Sequence, residues 1–218
     1  MRTDPTSGLT YELSAQGPPE ALLVLLHGVG GNETQLEGLA LRQDRRILTV
    51  RPRAPLVLGP VHFGWFEVAF GPQVPAINAL QAETSRQQLA RLVAGLQTEH
   101  GIGPARTVVA GFSQGGIMSA GLGLTRPELL AGFGLLSGRI LPEIAPQLAD
   151  RAALTGLSAF VSHGLQDTKL PPTWADRADA WLEELGVRFR SERYPAGHEL
   201  TSGMARDFTT WLNETLWP

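Results

Sequence analysis

The chain has no cysteine, which excludes disulfides, thiolate metal sites and a cysteine nucleophile and leaves the redox compartment open. Charge is sparse. Asp, Glu, Lys and Arg make up 18% of the 218 residues, and the formal net charge is −3 with an isoelectric point near 6.0. That balance gives no electrostatic case for nucleic acid or for an anionic membrane surface. Long hydrophobic runs are missing too. The longest, Ala21–Leu26, is too short to span a bilayer. The first eight residues carry no apolar segment of the kind a signal peptide needs. The expectation is a cytoplasmic protein without stable membrane insertion, either monomer or homodimer.

Hydrophobic residues at 43% are enough for one sizeable core, and a chain of this length reads as a single domain over 1–218. Residues 9–15 alternate weakly and read as an edge strand. The run Ala21–Leu26 reads as a central strand buried on both faces and opens into the glycine-rich His27-Gly28-Val29-Gly30-Gly31. A helix is expected over 33–41 and another strand over 46–50. From 52 to 78 the chain carries five prolines and the aromatics Phe63, Trp65, Phe66 and Phe70. That irregular excursion is either a loop whose rings fill a satellite core or one wall of a substrate pocket. Beyond it, amphipathic helices over 83–99, around Trp174 to Leu185 and at the C-terminus alternate with strands at 107–110, 132–138, 157–162 and 187–194. Strands alternating with helices imply an α/β architecture, a mostly parallel sheet covered on both faces, with ligands bound beyond the C-terminal strand ends.

At one such end stands Gly111-Phe112-Ser113-Gln114-Gly115-Gly116. The bare G-x-S-x-G pattern arises easily by chance in a chain with 25 glycines. Its setting between an apolar strand and a helix of small residues is more telling. A serine on a tight elbow leaves no room for side chains two positions away, and its hydroxyl stands clear of the sheet. A serine nucleophile needs a histidine base and an acid to orient it, which in this fold class follow in the order acid, then histidine. Two histidines remain after Ser113, namely His163 and His198. His198, after the last strand, is the candidate base, and Asp167, after the strand at 157–162, is the candidate acid. His163 precedes that acid and reads as a structural loop histidine. Backbone N–H groups of Gln114 and Val29 are the candidate oxyanion donors. Trp65, Phe66 and Leu165, in loops leaving the same sheet edge, are candidate substrate contacts.

These residues resemble the phospholipase/carboxylesterase family of α/β-hydrolases, whose best-known members are acyl-protein thioesterases. The matching stretches are 26–31, Trp65-Phe66, 111–116, 163–167 and Gly197-His198, in the family's order along nearly the whole chain. The resemblance implies a three-layer α/β-hydrolase fold without a large lid domain, a Ser113–Asp167–His198 triad, and no metal or cofactor. It implies hydrolysis of small-molecule carboxylic or thio esters. The expected activity is a serine esterase acting on short- to medium-chain esters. The alternatives are a thioesterase or lysophospholipase with a long acyl groove and, more remotely, a non-catalytic binding module. Three positions depart from the family's common acidic residues: Gly31, Gln166 and, as Glu in place of Asp, Glu67.

Overall fold

In a strand, successive side chains point to opposite faces, so a continuous apolar run requires cover on both sides. The computed structural model, which describes residues 1–69 and 76–218, separates the two faces of Ala21–Leu26 cleanly. Leu22, Val24 and Leu26 enter one buried cluster, and Ala21, Leu23 and Leu25 enter another.

In chain order, β1 (Arg2–Thr3) and β2 (Thr10–Ser14) form an antiparallel flap, followed by β3 (Ala21–Leu26), α1 (Glu37–Ala40) and β4 (Ile47–Pro52). Two short antiparallel pairs come next: β5 (Leu56–Gly59) with β6 (His62–Gly64), and β7 (Val68–Ala69) with β8 (Ala76–Ile77). The chain continues through α2 (Ala79–His100), β9 (Thr107–Phe112), α3 (Gln114–Thr125), β10 (Gly132–Leu136) and α4 (Arg151–Leu154). It ends with β11 (Ser158–Gly164), α5 (Thr173–Leu185), β12 (Arg188–Tyr194) and α6 (Ser202–Leu216). The main sheet runs β1-β2-β4-β3-β9-β10-β11-β12, parallel from β4 to β12. One face packs the apolar sides of α2, α3 and α5, the other those of α1 and α6. This is the three-layer α/β-hydrolase arrangement.

Strand order fixes where a ligand can bind. From β3 the chain turns outward to β4, while from β9 it turns the opposite way to β10, so the loops after β3 and β9 diverge and leave a crevice. Leu26, the last residue of β3, pairs with Gly111 of β9. The glycine loop and the serine elbow are therefore neighbours by topology.

Three expectations need correcting. β2 is not the sheet edge: Asp4 Oδ2 accepts the Ser7 N–H at 2.5 Å and Gly8 takes φ 74°, a turn that folds β1 back onto it. The helix expected over 33–41 shrinks to the single turn Glu37–Ala40, because Asn32 Oδ1 accepts both the N–H and the hydroxyl of Thr34 and holds that stretch as a turn. The excursion at 52–78 holds the two strand pairs just described rather than irregular coil, with Phe63, Trp65 and Phe66 in the main core. Phe70 lies outside the described residues.

Candidate active site

Between the end of β9 and the start of α3 stands Ser113 alone, at φ 55° and ψ −117°, a conformation L-residues rarely adopt. Two bonds hold it there: Ser113 N–H donates to Leu136 O at 2.8 Å, and Ile117 N–H donates to Ser113 O at 3.0 Å. The flanking glycines are sterically obligatory. A Cβ on Gly111 would lie 2.3 Å from Gly115 C, and one on Gly115 would lie 2.0 Å from Leu26 O. The elbow thus aims the serine hydroxyl out of the sheet, at the positive end of the α3 dipole.

Loops after β11 and β12 bring the acid and the histidine to it. His198 Nε2 lies 2.9 Å from Ser113 Oγ, and His198 Nδ1 lies 2.6 Å from Asp167 Oδ2. With a carboxylate on Nδ1, that nitrogen carries the proton and Nε2 is the acceptor facing the hydroxyl. Asp167 is itself held, since its Oδ1 accepts the N–H groups of Lys169 and Leu170, both at 2.9 Å. The Phe112 ring packs against His198, centroids 4.9 Å apart. His163, fully buried at the penultimate position of β11 rather than in the loop, donates from Nε2 to Leu170 O at 2.7 Å. The same nitrogen is 3.3 Å from Asp167 Oδ2, so His163 braces the acid's loop from behind. Burial pushes its pKa down, with the Leu170 bond and Asp167 opposing.

His27 organises the opposite wall. Ala54 N–H donates to His27 Nε2 at 3.0 Å, so the proton resides on Nδ1, which donates to Gly28 O at 2.7 Å. Burial pushes the His27 pKa down and favours this neutral form. Gly31 N–H donates to the same carbonyl at 3.0 Å. In a trans peptide the N–H points away from the C=O, so pinning Gly28 O turns the Val29 N–H the other way, to the side where Val29 lines the crevice. Gly28 N–H is taken by Gln35 Oε1 at 2.7 Å and Gly30 N–H by Phe63 O at 2.8 Å. Among the described residues, the N–H groups of Val29 and of Gln114 have no protein acceptor; Gln114 opens α3, where N–H groups lack intrahelical partners.

The crevice is a cavity of about 560 Å³ bounded by Ser113, His198, Val29, Phe66, Ile117 and Leu170, among others. Two expected contacts are absent from its walls. Trp65 is fully buried beneath them, its Nε1 donating to His27 O at 2.9 Å, because an indole in the core needs an acceptor. Leu165 is 55% exposed and faces solvent, its N–H committed to Tyr194 O at 2.8 Å. Phe66 does line the cavity.

A family match spans residues 13–216, and the family is the phospholipases/carboxylesterases. The chain belongs to this family of α/β-hydrolases. Acyl-protein thioesterase 1 of Emericella nidulans is 30% identical over 200 residues, covering 80% of this chain and 82% of that protein. Carboxylesterase SOBER1 of Arabidopsis thaliana is 25% identical over 210 residues, covering 89% and 90%. Among solved structures, esterase PE8 superposes with a TM-score of 0.83 at 27% identity, over 95% of this chain and 99% of that one. The chain is a hydrolase.

Several site residues escaped the sequence reading. The Gln114 side chain accepts from Trp65 N–H and donates to Phe66 O, each at 2.7 Å, fastening the Trp-Phe segment to the elbow. Gln35 orients the glycine loop, and the departure at Gly31 makes room for it: a Cβ there would sit 2.6 Å from Gln35 Oε1. Buried Arg139 also lines the cavity. Amides serve any buried peptide and carry no periodic signal; Arg139 stands two residues after Ser137, a non-glycine residue at φ 50° that the sequence does not mark.

Proposed function

We propose that this family member hydrolyses short- to medium-chain carboxylic esters through an acyl-enzyme on Ser113. The observation that carries the reading is the unbroken relay Ser113 Oγ, His198 and Asp167 at 2.9 and 2.6 Å. His198 Nε2 takes the hydroxyl proton as Ser113 Oγ attacks the ester carbonyl, and the N–H groups of Val29 and Gln114 stabilise the resulting oxyanion. His198 then returns the proton to the leaving alcohol, and water repeats the sequence on the acyl-enzyme. Asp167 holds the Nδ1–H tautomer and stabilises the imidazolium. A serine-directed phosphonate should label Ser113, and Ser113→Ala should abolish ester turnover; retention of turnover by that variant sinks the reading.

A second reading, hydrolysis of long-chain acyl thioesters, draws on one feature. Ile117 lines both the main cavity and an adjoining one of about 240 Å³ walled by Met118, Leu141 and Ile144. A chain-length series of esters and thioesters, compared by kcat/KM, decides between them: a steep loss beyond short acyl groups rules out the long-chain reading.

A further inference from the structure

We propose that the favoured esters have an alcohol part bearing further hydroxyl groups, a glycerol ester in the simplest case, and that this alcohol lies in a second cleft beyond His198, between the α1 turn and the start of α6. The inference rests on the esterase reading above and names its substrate class.

Attack on an ester gives a carbon with four substituents, and three of them have fixed places. Ser113 Oγ is the first. The oxyanion faces the N–H groups of Val29 and Gln114. The leaving oxygen takes its proton from His198 Nε2, so it lies within hydrogen-bond reach of that atom. The acyl carbon takes the space that remains. Two cavities meet at Gln35, Phe112 and His198. The one described above, about 560 Å³, is lined by Ser113 and both oxyanion residues and continues to Phe66, Ile117 and Leu170. The other, about 420 Å³, is lined among the described residues by neither Ser113 nor the oxyanion residues. A group that reaches this second cleft passes His198, and the substituent beside His198 is the alcohol. The acyl chain is left with the apolar cavity.

The chemistry of the second cleft differs from that of the first. Arg42 and Glu199 line it, both exposed, and among the described residues neither side chain has a hydrogen-bond or ion-pair partner. Charges nearby in the chain are engaged: Glu37 lies 3.9 Å from Arg51, and Asp44 lies 3.0 Å from Arg46. Gln35 adds a donor at the junction. Its Oε1 accepts the Gly28 N–H at 2.7 Å, which fixes the amide plane and leaves the Nε2 hydrogens to a ligand. Leu36 and Leu39 offer apolar surface for a short carbon skeleton. One cation and one carboxylate leave the cleft without net charge, so an anion drawn by Arg42 is opposed by Glu199, and a cation the reverse. A hydroxyl both donates and accepts. A diol therefore serves the arginine and the carboxylate in either order, whereas a zwitterion fits in one order only and an alkyl alcohol serves neither.

Two matched pairs of esters, followed by proton release, test the inference from either side of the scissile bond. 2,3-Dihydroxypropyl butanoate against propyl butanoate places the diol on the alcohol part; propyl 2,3-dihydroxybutanoate against propyl butanoate places it on the acyl part. Each ratio of kcat/KM is divided by the ratio of hydroxide-catalysed rates for the same two esters, which removes their intrinsic reactivity. The expected result is a corrected alcohol-side ratio above 1. The double variant Arg42→Ala/Glu199→Ala should lower it by about 5- to 100-fold, the worth of two ordinary hydrogen bonds, and leave the acyl-side ratio within twofold. Both members of a pair are read on the same preparation, so any unfolded fraction cancels. A corrected alcohol-side ratio at or below 1, one that the double variant leaves within twofold, or an equal fall in the acyl-side ratio overturns the inference while the esterase reading stands. Turnover of none of the three esters by the parent sinks the esterase reading itself, and the inference with it.

Discussion

Replacing Gln114 with methionine tests whether the elbow and the Trp-Phe segment are held together as described. The swap keeps the length and unbranched shape of the side chain and leaves the Gln114 backbone N–H in place. It removes the acceptor for Trp65 N–H and the donor to Phe66 O, both at 2.7 Å. Water has no ready access to replace them, since Trp65 is 0% exposed and Phe66 1%. Each buried group left unpaired costs about 1–3 kcal/mol, so the pair costs about 2–6 kcal/mol. Stability of a whole domain is about 5–15 kcal/mol, which makes this a substantial share. For a chain of this size each kcal/mol lowers the melting temperature by about 2–4 °C, giving an expected fall of about 4 to 24 °C for Gln114→Met. Thermal unfolding by circular dichroism reads that fall. Ester kinetics read a second effect, a raised KM, because Phe66 lines the cavity and its carbonyl has lost its tether. A melting temperature within about 1 °C of the parent, with KM unchanged, would refute the clamp.

Asp167→Asn should lower kcat/KM by about 10⁴-fold while the fold survives, as the same exchange does in serine-protease triads, because an amide stabilises the wrong imidazole tautomer; steady-state ester kinetics check it, and a loss below tenfold counts against the assigned relay. Gly115→Ala should be recovered largely unfolded, since the three atoms nearest its new Cβ are backbone atoms of Leu26 and His27, the closest 2.0 Å away. Gly38→Ala, on the one-turn helix α1 with nothing within 4 Å of the new Cβ, should instead be neutral or stabilising by up to about 1 kcal/mol. Equal melting temperatures for these two variants would contradict the packing argument. Burial lowers the pKa of both His27 and His163 from an ordinary 6.5, so the unfolded chain binds their protons more readily than the folded one. Their contribution to stability is therefore complete above about pH 6.5 and is lost as pH falls below it, before carboxylates such as Glu33 and Glu83, held low by Arg53 and Arg86, begin to titrate. A melting temperature that stays flat from about pH 7 to pH 5 would refute this.

Features governed by neighbours close in sequence were legible beforehand. The strand Ala21–Leu26 was expected with the bounds observed, because a continuous apolar run between turn residues has few other uses. The glycines around Ser113 announced the elbow because a Cβ at either would collide with backbone a few residues away or on the adjoining strand. The positions of Ser113, Asp167 and His198 just beyond the C-terminal ends of β9, β11 and β12 likewise let topology bring them within hydrogen-bond reach. For Trp65 the sequence leaves core and pocket wall both open, and the structure places it in the core, since an aromatic residue in a loop carries no mark of the face it presents.

The sequence by itself therefore determined the α/β order, which follows from local sterics and from hydrophobic period, while its motifs carried the resemblance to the family and the chain order of the candidate relay. Tertiary structure alone decided what surrounds the serine. The Gln114 clamp spans 48 and 49 residues of chain, the His27–Ala54 bond spans 27, and Arg139 reaches the cavity through one unusual φ at Ser137. Amides, imidazoles and guanidinium groups can satisfy partners anywhere in a fold, so their pairing leaves no periodic trace and becomes visible only when the chain is closed around it.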